Sequence, residues 1–243
     1  MLRSSNPVLG RALERPQGVS SRRATLLGTS NKAAMLLAMV AATAGITWHR
    51  FMLDPAAAGS LSMLGAIGGL IAAFVLIAKP QWSAVLAPAY ALLEGLVVGS
   101  VSALYEQRYG GIVFQAVGLT FATMGVMLLS YSTGVLRATP GLVRGITLAT
   151  AGVAVYYLVA MVLGFFHVQA PLIASHSPLG IAFSLIVTGI AAFNLIIDFA
   201  QIEMAVQEGQ PEYMEWYGAF GLVVTLVWMY LEMLRLLSKL RDN

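Results

Sequence analysis

Seven long apolar runs occupy most of this 243-residue chain: Ala33 to Phe51, Ser60 to Ala78, Trp82 to Tyr105, Ile112 to Tyr131, Gly145 to Phe166, Leu179 to Phe199 and Tyr217 to Leu237. Each approaches the ~20 residues that, at ~1.5 Å rise, cross a ~30 Å hydrocarbon core. Inside lipid every backbone N–H and C=O must be satisfied within the protein, so only helices or closed barrels can span. Runs of this length, carrying Gly and Ala throughout, read as helices and not as the roughly ten-residue alternating segments of a barrel. The expected fold is all-α, a bundle of seven transmembrane helices. Composition agrees: 58% of residues are hydrophobic and 10% charged, against about 25% charged in soluble domains.

The spans and their short connections leave two parts: residues 1–31, expected to be a basic, disordered cytoplasmic tail, and one transmembrane domain over 32–243. A cleaved signal peptide is not expected, since the first apolar run follows some thirty polar residues and is of spanning length. With no room for a separate catalytic domain, any chemistry is intramembrane, and the chain is not expected to be an enzyme. The absence of cysteine excludes disulfides and thiolate metal sites. A net charge of +3 gives no reason to expect nucleic acid as a partner.

Charge distribution sets the expected topology. Arg3, Arg11, Arg15, Arg22, Arg23 and Lys32 precede or open the first span against the single acid Glu14, which places the N-terminus in the cytoplasm. The connections carrying Lys79 and Arg137 with Arg144 then fall inside, and Gln169 to Ser177, without Lys or Arg, falls outside. The connection Gln201 to Glu215 departs from the pattern, being acidic through Glu203, Glu208, Glu212 and Glu215. Seven crossings also put Arg235, Lys239 and Arg241 outside, against the rule. Either these bases complement the last helix dipole, or one apolar run does not cross fully.

Three acids lie within spans: Glu94, Asp198 and Glu232. A charge at the bilayer centre costs about 2.5–3.5 kcal/mol on insertion scales, so such residues usually face a cavity or a partner. No Lys or Arg of a neighbouring span lies at their depth, which leaves protonation, or a shared cation or water. Two carboxyls held close titrate as one unit, a natural proton-sensitive latch. The alternative for each is a structural, hydrogen-bonded acid, and for Glu232 a pair with Arg235 three residues on. Depth argues against an Asp198–Glu232 pair: about 9 Å and about 18 Å from the cytoplasmic edge, unless tilt closes the gap. Glu215, at the loop end, is the rival partner.

Other candidates are weaker. Gly95 and Gly99 form a G-x-x-x-G, read as close helix packing, and Pro88 inside the third span predicts a bend near Glu94. His49, His167 and His176 lack the spacing of a metal site, so none is expected. There is no G-x-S-x-G elbow, and Lys239 lies too near the helix end to carry a retinal.

The residues around the acids resemble a known family. Leu92-Leu93-Glu94-Gly95-Leu96-Val97-Val98-Gly99 is similar to the third-helix segment of the Bax inhibitor family, the transmembrane Bax inhibitor motif proteins. Asp198 followed by Ile202 resembles its sixth-helix motif, and Tyr230-Leu231-Glu232 with Leu234, Leu236 and Leu237 resembles its last-helix motif. The likeness runs through all seven spans. It implies six helices around a central seventh and a pH-sensitive calcium leak, with Asp198 and Glu232 as the proton-sensing pair and Glu94 as a supporting acid. It also implies no resident cofactor and calcium bound only in transit, and the chain's departures from the family point to a divergent bacterial-type branch in an inner membrane. Three features depart from the family: Glu replaces Asp in the last helix, Phe199 and Ala200 follow Asp198, and the second span lacks arginine.

Two other functions fit the residues. A non-transporting regulatory protein, partnering a stress or protease system, would use the acidic loop and basic tail as docking surfaces. A proton-coupled transporter would show inverted repeats between the halves; none is visible. Oxygen ligands without nearby sulfur or imidazole favour a hard cation such as calcium.

Overall fold

The computed structural model describes residues 22–166, 172, 175 and 177–242. Seven helices, all long and apolar enough to span a membrane, run α1 (Leu26–Leu53), α2 (Pro55–Ala78), α3 (Ser83–Arg108), α4 (Ile112–Ser132), α5 (Pro140–Phe165), α6 (Pro178–Gln207) and α7 (Tyr213–Arg241). A single 3-10 turn, Pro80–Trp82, joins α2 to α3. We call the end of the bundle holding residues 22–25 proximal and the opposite end distal.

Several helices begin ahead of their apolar runs for a local reason. Asp54-Pro55, Thr139-Pro140 and Ser177-Pro178 each place a side-chain oxygen at the cap and a proline at the first helical position. The cap accepts an otherwise orphaned N–H, and proline has none to lose. Asp54 also ends α1, its own N–H donating to the Arg50 carbonyl at 2.8 Å. Thr25 caps α1 through Gly28 N at 2.9 Å, so residues 26–31, assigned to the tail from sequence, are helical. Residues 1–21 of that tail lie outside the described residues. At α4 the cap is borrowed from the preceding helix: Glu106 accepts from Gly111 N at 2.5 Å and Val113 N at 3.1 Å, across a glycine at φ 82°.

Small residues set the closest contacts. A Cβ on Gly99 would lie 2.8 Å from Ala44 Cα of α1, and one on Gly95 would strike the Val40 carbonyl and Thr43. On the other side of α3, Gly65 and Gly68 of α2 receive Leu93. The G-x-x-x-G is thus a packing device, clamping α3 between α1 and α2. Pro88 lies within an α3 that runs unbroken from Ser83 to Arg108.

α7 packs against α1, α3, α4 and α6, while α5 packs mainly on α6 and reaches α7 through Tyr157. The most apolar window of α7 is 56% buried and that of α5 only 6% buried, so the last helix is the axis of the bundle. The core follows it: Ala219, Val223, Leu226, Met229 and Leu234 of α7 meet Leu36, Ala91, Ala191 and Leu195.

The bases at the end of α7 are engaged within the bundle. Lys239, 2% exposed, donates to the carbonyls of Leu172 and Gly180, each at 2.9 Å. Arg241 donates to the Tyr109 and Gly110 carbonyls at 2.8 and 3.0 Å and to Gln115 at 3.1 Å. These side chains bind the distal turns of other helices in a bundle whose seven helices are all of spanning length.

Candidate functional site

The four acids singled out from sequence sit in four different settings. Asp198, near the proximal end of α6, borders a cavity of about 80 Å³ with Gln201, Ala24, Thr29, Gly218 and Gly221. The Thr225 hydroxyl of α7 stands beside its carboxyl group. Its Oδ2 is buried and has no hydrogen-bond partner among the described residues. Leaving such an acceptor unpaired costs about 1–3 kcal/mol, more when it carries charge. Gly218 permits this geometry: a Cβ there would lie 3.0 Å from Ile202 and 3.4 Å from Thr29, so α6 and α1 both press on α7 at that point.

Glu232 is engaged elsewhere. Its Oε1 accepts from Tyr157 Oη of α5 at 2.7 Å and from Arg235 Nη1 at 2.6 Å, and the same Nη1 donates to Tyr157 Oη at 2.6 Å. The Arg235 guanidinium also lies 5.0 Å from the Tyr157 ring centre. The local i, i+3 pairing is realised, closed into a triangle by a tyrosine from another helix.

Asp198 and Glu232 do not form the expected pair. Asp198 meets α7 at Thr225, and Glu232 lies seven residues further along, about 10 Å at 1.5 Å per residue. The offset that the depths already implied stays open: Asp198 stands beside Thr225, and Glu232 Oε1 is held by Arg235 and Tyr157. Asp198 Oδ2 and Glu232 Oε2 are each buried with no hydrogen-bond partner among the described residues.

Glu94, half-buried on α3, is hydrogen-bonded by Tyr90 one turn earlier, and its Oε2 faces Gly69 of α2. Tyr90 is held in turn by an edge contact with Phe220, ring centres 4.9 Å apart. This acid sits at the α2–α3 seam, away from Asp198.

Glu215 is not a partner for Asp198 either. Buried at the start of α7, it accepts from Thr25 N and Thr25 Oγ1, both at 2.8 Å, and from Lys32. Lys32 also lies 3.7 Å from Glu212 and 5.4 Å from the Trp216 ring centre. The clasp holds residues 22–25 in an extended strap along the α6–α7 connection. Ala24 N donates to the Gln210 carbonyl at 2.8 Å, Glu212 N donates to the Arg22 carbonyl at 3.1 Å, and Arg23 bridges to Pro211. The Arg23 side chain crosses Gly209, whose φ of 64° makes the turn. Residues 22–32 of the basic segment and the end of the acidic loop, both expected as docking surfaces, contact each other, while residues 1–21 lie outside the described residues. Buried Ala24 of this strap roofs the Asp198 cavity.

Sequence reasoning missed Thr225, Tyr157, Thr25 and the role of Lys32. Lys32 carried a usable signal, a base directly at the start of the first apolar run. The hydroxyls carried none, since only helix placement gives them meaning.

Among the described residues no three His, Cys, Asp or Glu converge on a point; His167 and His176 lie outside them. Asp198 with Gln201 offers far fewer oxygens than the six to eight that hold calcium firmly.

The family described as Bax inhibitor 1 like matches residues 6–242, nearly the whole chain. A comparison with curated proteins finds no match.

Proposed function

Because this chain belongs to the Bax inhibitor 1 like family, we propose that it is a pH-sensitive cation leak, with calcium as the permeant ion, in which Asp198 acts alone as the gating carboxylate. The observation that carries this reading is the Asp198 Oδ2, buried without a partner among the described residues beside a small cavity between α6 and α7. A neutral carboxylic acid tolerates that place; a carboxylate there demands water or a cation. Loss of the proton therefore favours an arrangement in which the strap lifts or α6 and α7 part, and ions pass. Glu232, neutralised by Arg235, takes no part in gating, and its role is to hold α5 on the axis. The reading assigns no enzymatic activity and no resident cofactor. It places the protein in a bacterial inner membrane with the strap facing the cytoplasm.

Calcium entry into proteoliposomes, followed across pH, tests this. Asp198→Asn, permanently neutral, is expected to abolish the pH dependence and hold flux at the low, closed level. Glu232→Gln is expected to keep the wild-type profile. An Asp198→Asn profile that overlays the wild type would remove Asp198 from the mechanism.

A further inference from the structure

α1 and α4 both flank α7 but share no extensive packing with one another. Between them lies a cleft in two connected parts: a proximal space of about 900 Å³ and a distal one of about 330 Å³, which share Leu37, Phe121 and Leu226. Along α1 the proximal part runs from Leu26 to Leu37, about 16 Å, or half of a ~30 Å hydrocarbon core. Its deep wall is apolar, from Leu37, Phe121, Met124, Phe199 and Leu226. Leu26, Phe121 and Leu128 line it while remaining 53%, 47% and 46% exposed, so the cleft opens sideways toward lipid.

Its proximal rim carries two opposite charges, Arg137 and Glu203. They do not pair. Glu203 accepts from Tyr131 and, at 3.1 Å, from Gln207, and retains acceptor capacity. The Arg137 guanidinium folds over Gly134, a turn glycine at φ 75°, and makes no side-chain hydrogen bond or ion pair among the described residues. A cation and an anion on one rim, unspent on each other above an apolar slot one leaflet deep, complement a zwitterion attached to a hydrocarbon chain.

We infer that the α1–α4 cleft is a binding site for one phospholipid with a primary-amine headgroup, its phosphate on Arg137, its ammonium on Glu203 and an acyl chain against Phe121 and Leu226. A primary ammonium donates hydrogen bonds to a carboxylate, whereas a quaternary choline has no N–H to give. An anionic glycerol headgroup meets Glu203 as a like charge.

The test is native mass spectrometry of the detergent-solubilised full chain, equilibrated with equal amounts of phosphatidylethanolamine, phosphatidylcholine and phosphatidylglycerol. One phosphatidylethanolamine per chain is expected to survive activation that strips the other two. Glu203→Gln should erase the preference over phosphatidylglycerol, and Arg137→Ala should lower retention of every phospholipid about tenfold, as loss of a charge-assisted hydrogen bond does. Ala34→Trp fills the cleft from an exposed position on α1, and should abolish retention with an unchanged thermal transition. Ser30→Trp on the same face serves if that variant does not fold. Equal retention of all three lipids, or retention unchanged by the cleft-filling tryptophans, would mean annular lipid only and overturn the assignment.

Discussion

At the scale of single residues, the contrast between Asp198 and Glu232 shows that a carboxylate in a membrane helix is read by its partners, not its depth. Glu232 is the more buried, at 1% exposure, yet Arg235 and Tyr157 satisfy one of its oxygens. Removing the base alone strands a buried charge. Arg235→Ala is therefore expected to cost about 3–5 kcal/mol of stability, seen as a lowered thermal midpoint in detergent, whereas the Glu232→Gln, Arg235→Met double variant should recover most of it. The pairing with Arg235 was legible in the sequence because it is local, three residues along one helix. Tyr157 was not legible, because it enters from 75 residues away. The same limit defeated the Asp198–Glu232 pair: each acid is conspicuous alone, but whether they meet depends on the offset of two helices, which no single-residue pattern records.

At the scale of elements, the runs of apolar residues predicted the helices well, and their true starts lie at cap–proline pairs that hydropathy does not weigh. The glycines of α3 behave as their spacing suggested. Gly99→Val is expected to push α1 and α3 apart, with an overpacking penalty of about 1–3 kcal/mol or more, read as loss of monodisperse protein on size exclusion. Gly118→Ala, where an added Cβ meets nothing within 4 Å, should behave as wild type. The strap is the element that sequence alone could not foresee, since an acidic loop and a basic segment look like separate surfaces until the chain brings them together. Lys32→Ala leaves Glu215 with Thr25 alone. The expected outcome is faster hydrogen exchange at the Ala24 amide, now bonded to Gln210, and higher calcium flux with its pH dependence retained. Unchanged exchange at Ala24 would show that the backbone ladder holds the strap without the ion pair.

At the scale of the whole molecule, an odd number of crossings by seven helices of spanning length is expected to put the two ends of the chain on opposite faces of the membrane. A cysteine in place of Asn243 should react with an impermeant thiol reagent added outside whole cells, and one in place of Glu208 only after permeabilisation. Reaction of both from one side would require a span that fails to cross. The order in which the ribosome delivers these parts has its own consequence. Thr25 finds Glu215 across 190 residues, so the lid above Asp198 is assembled only once the final hairpin has emerged. A nascent or truncated polypeptide lacking α7 has neither lid nor axis, and leaves Asp198 of α6 without its cover.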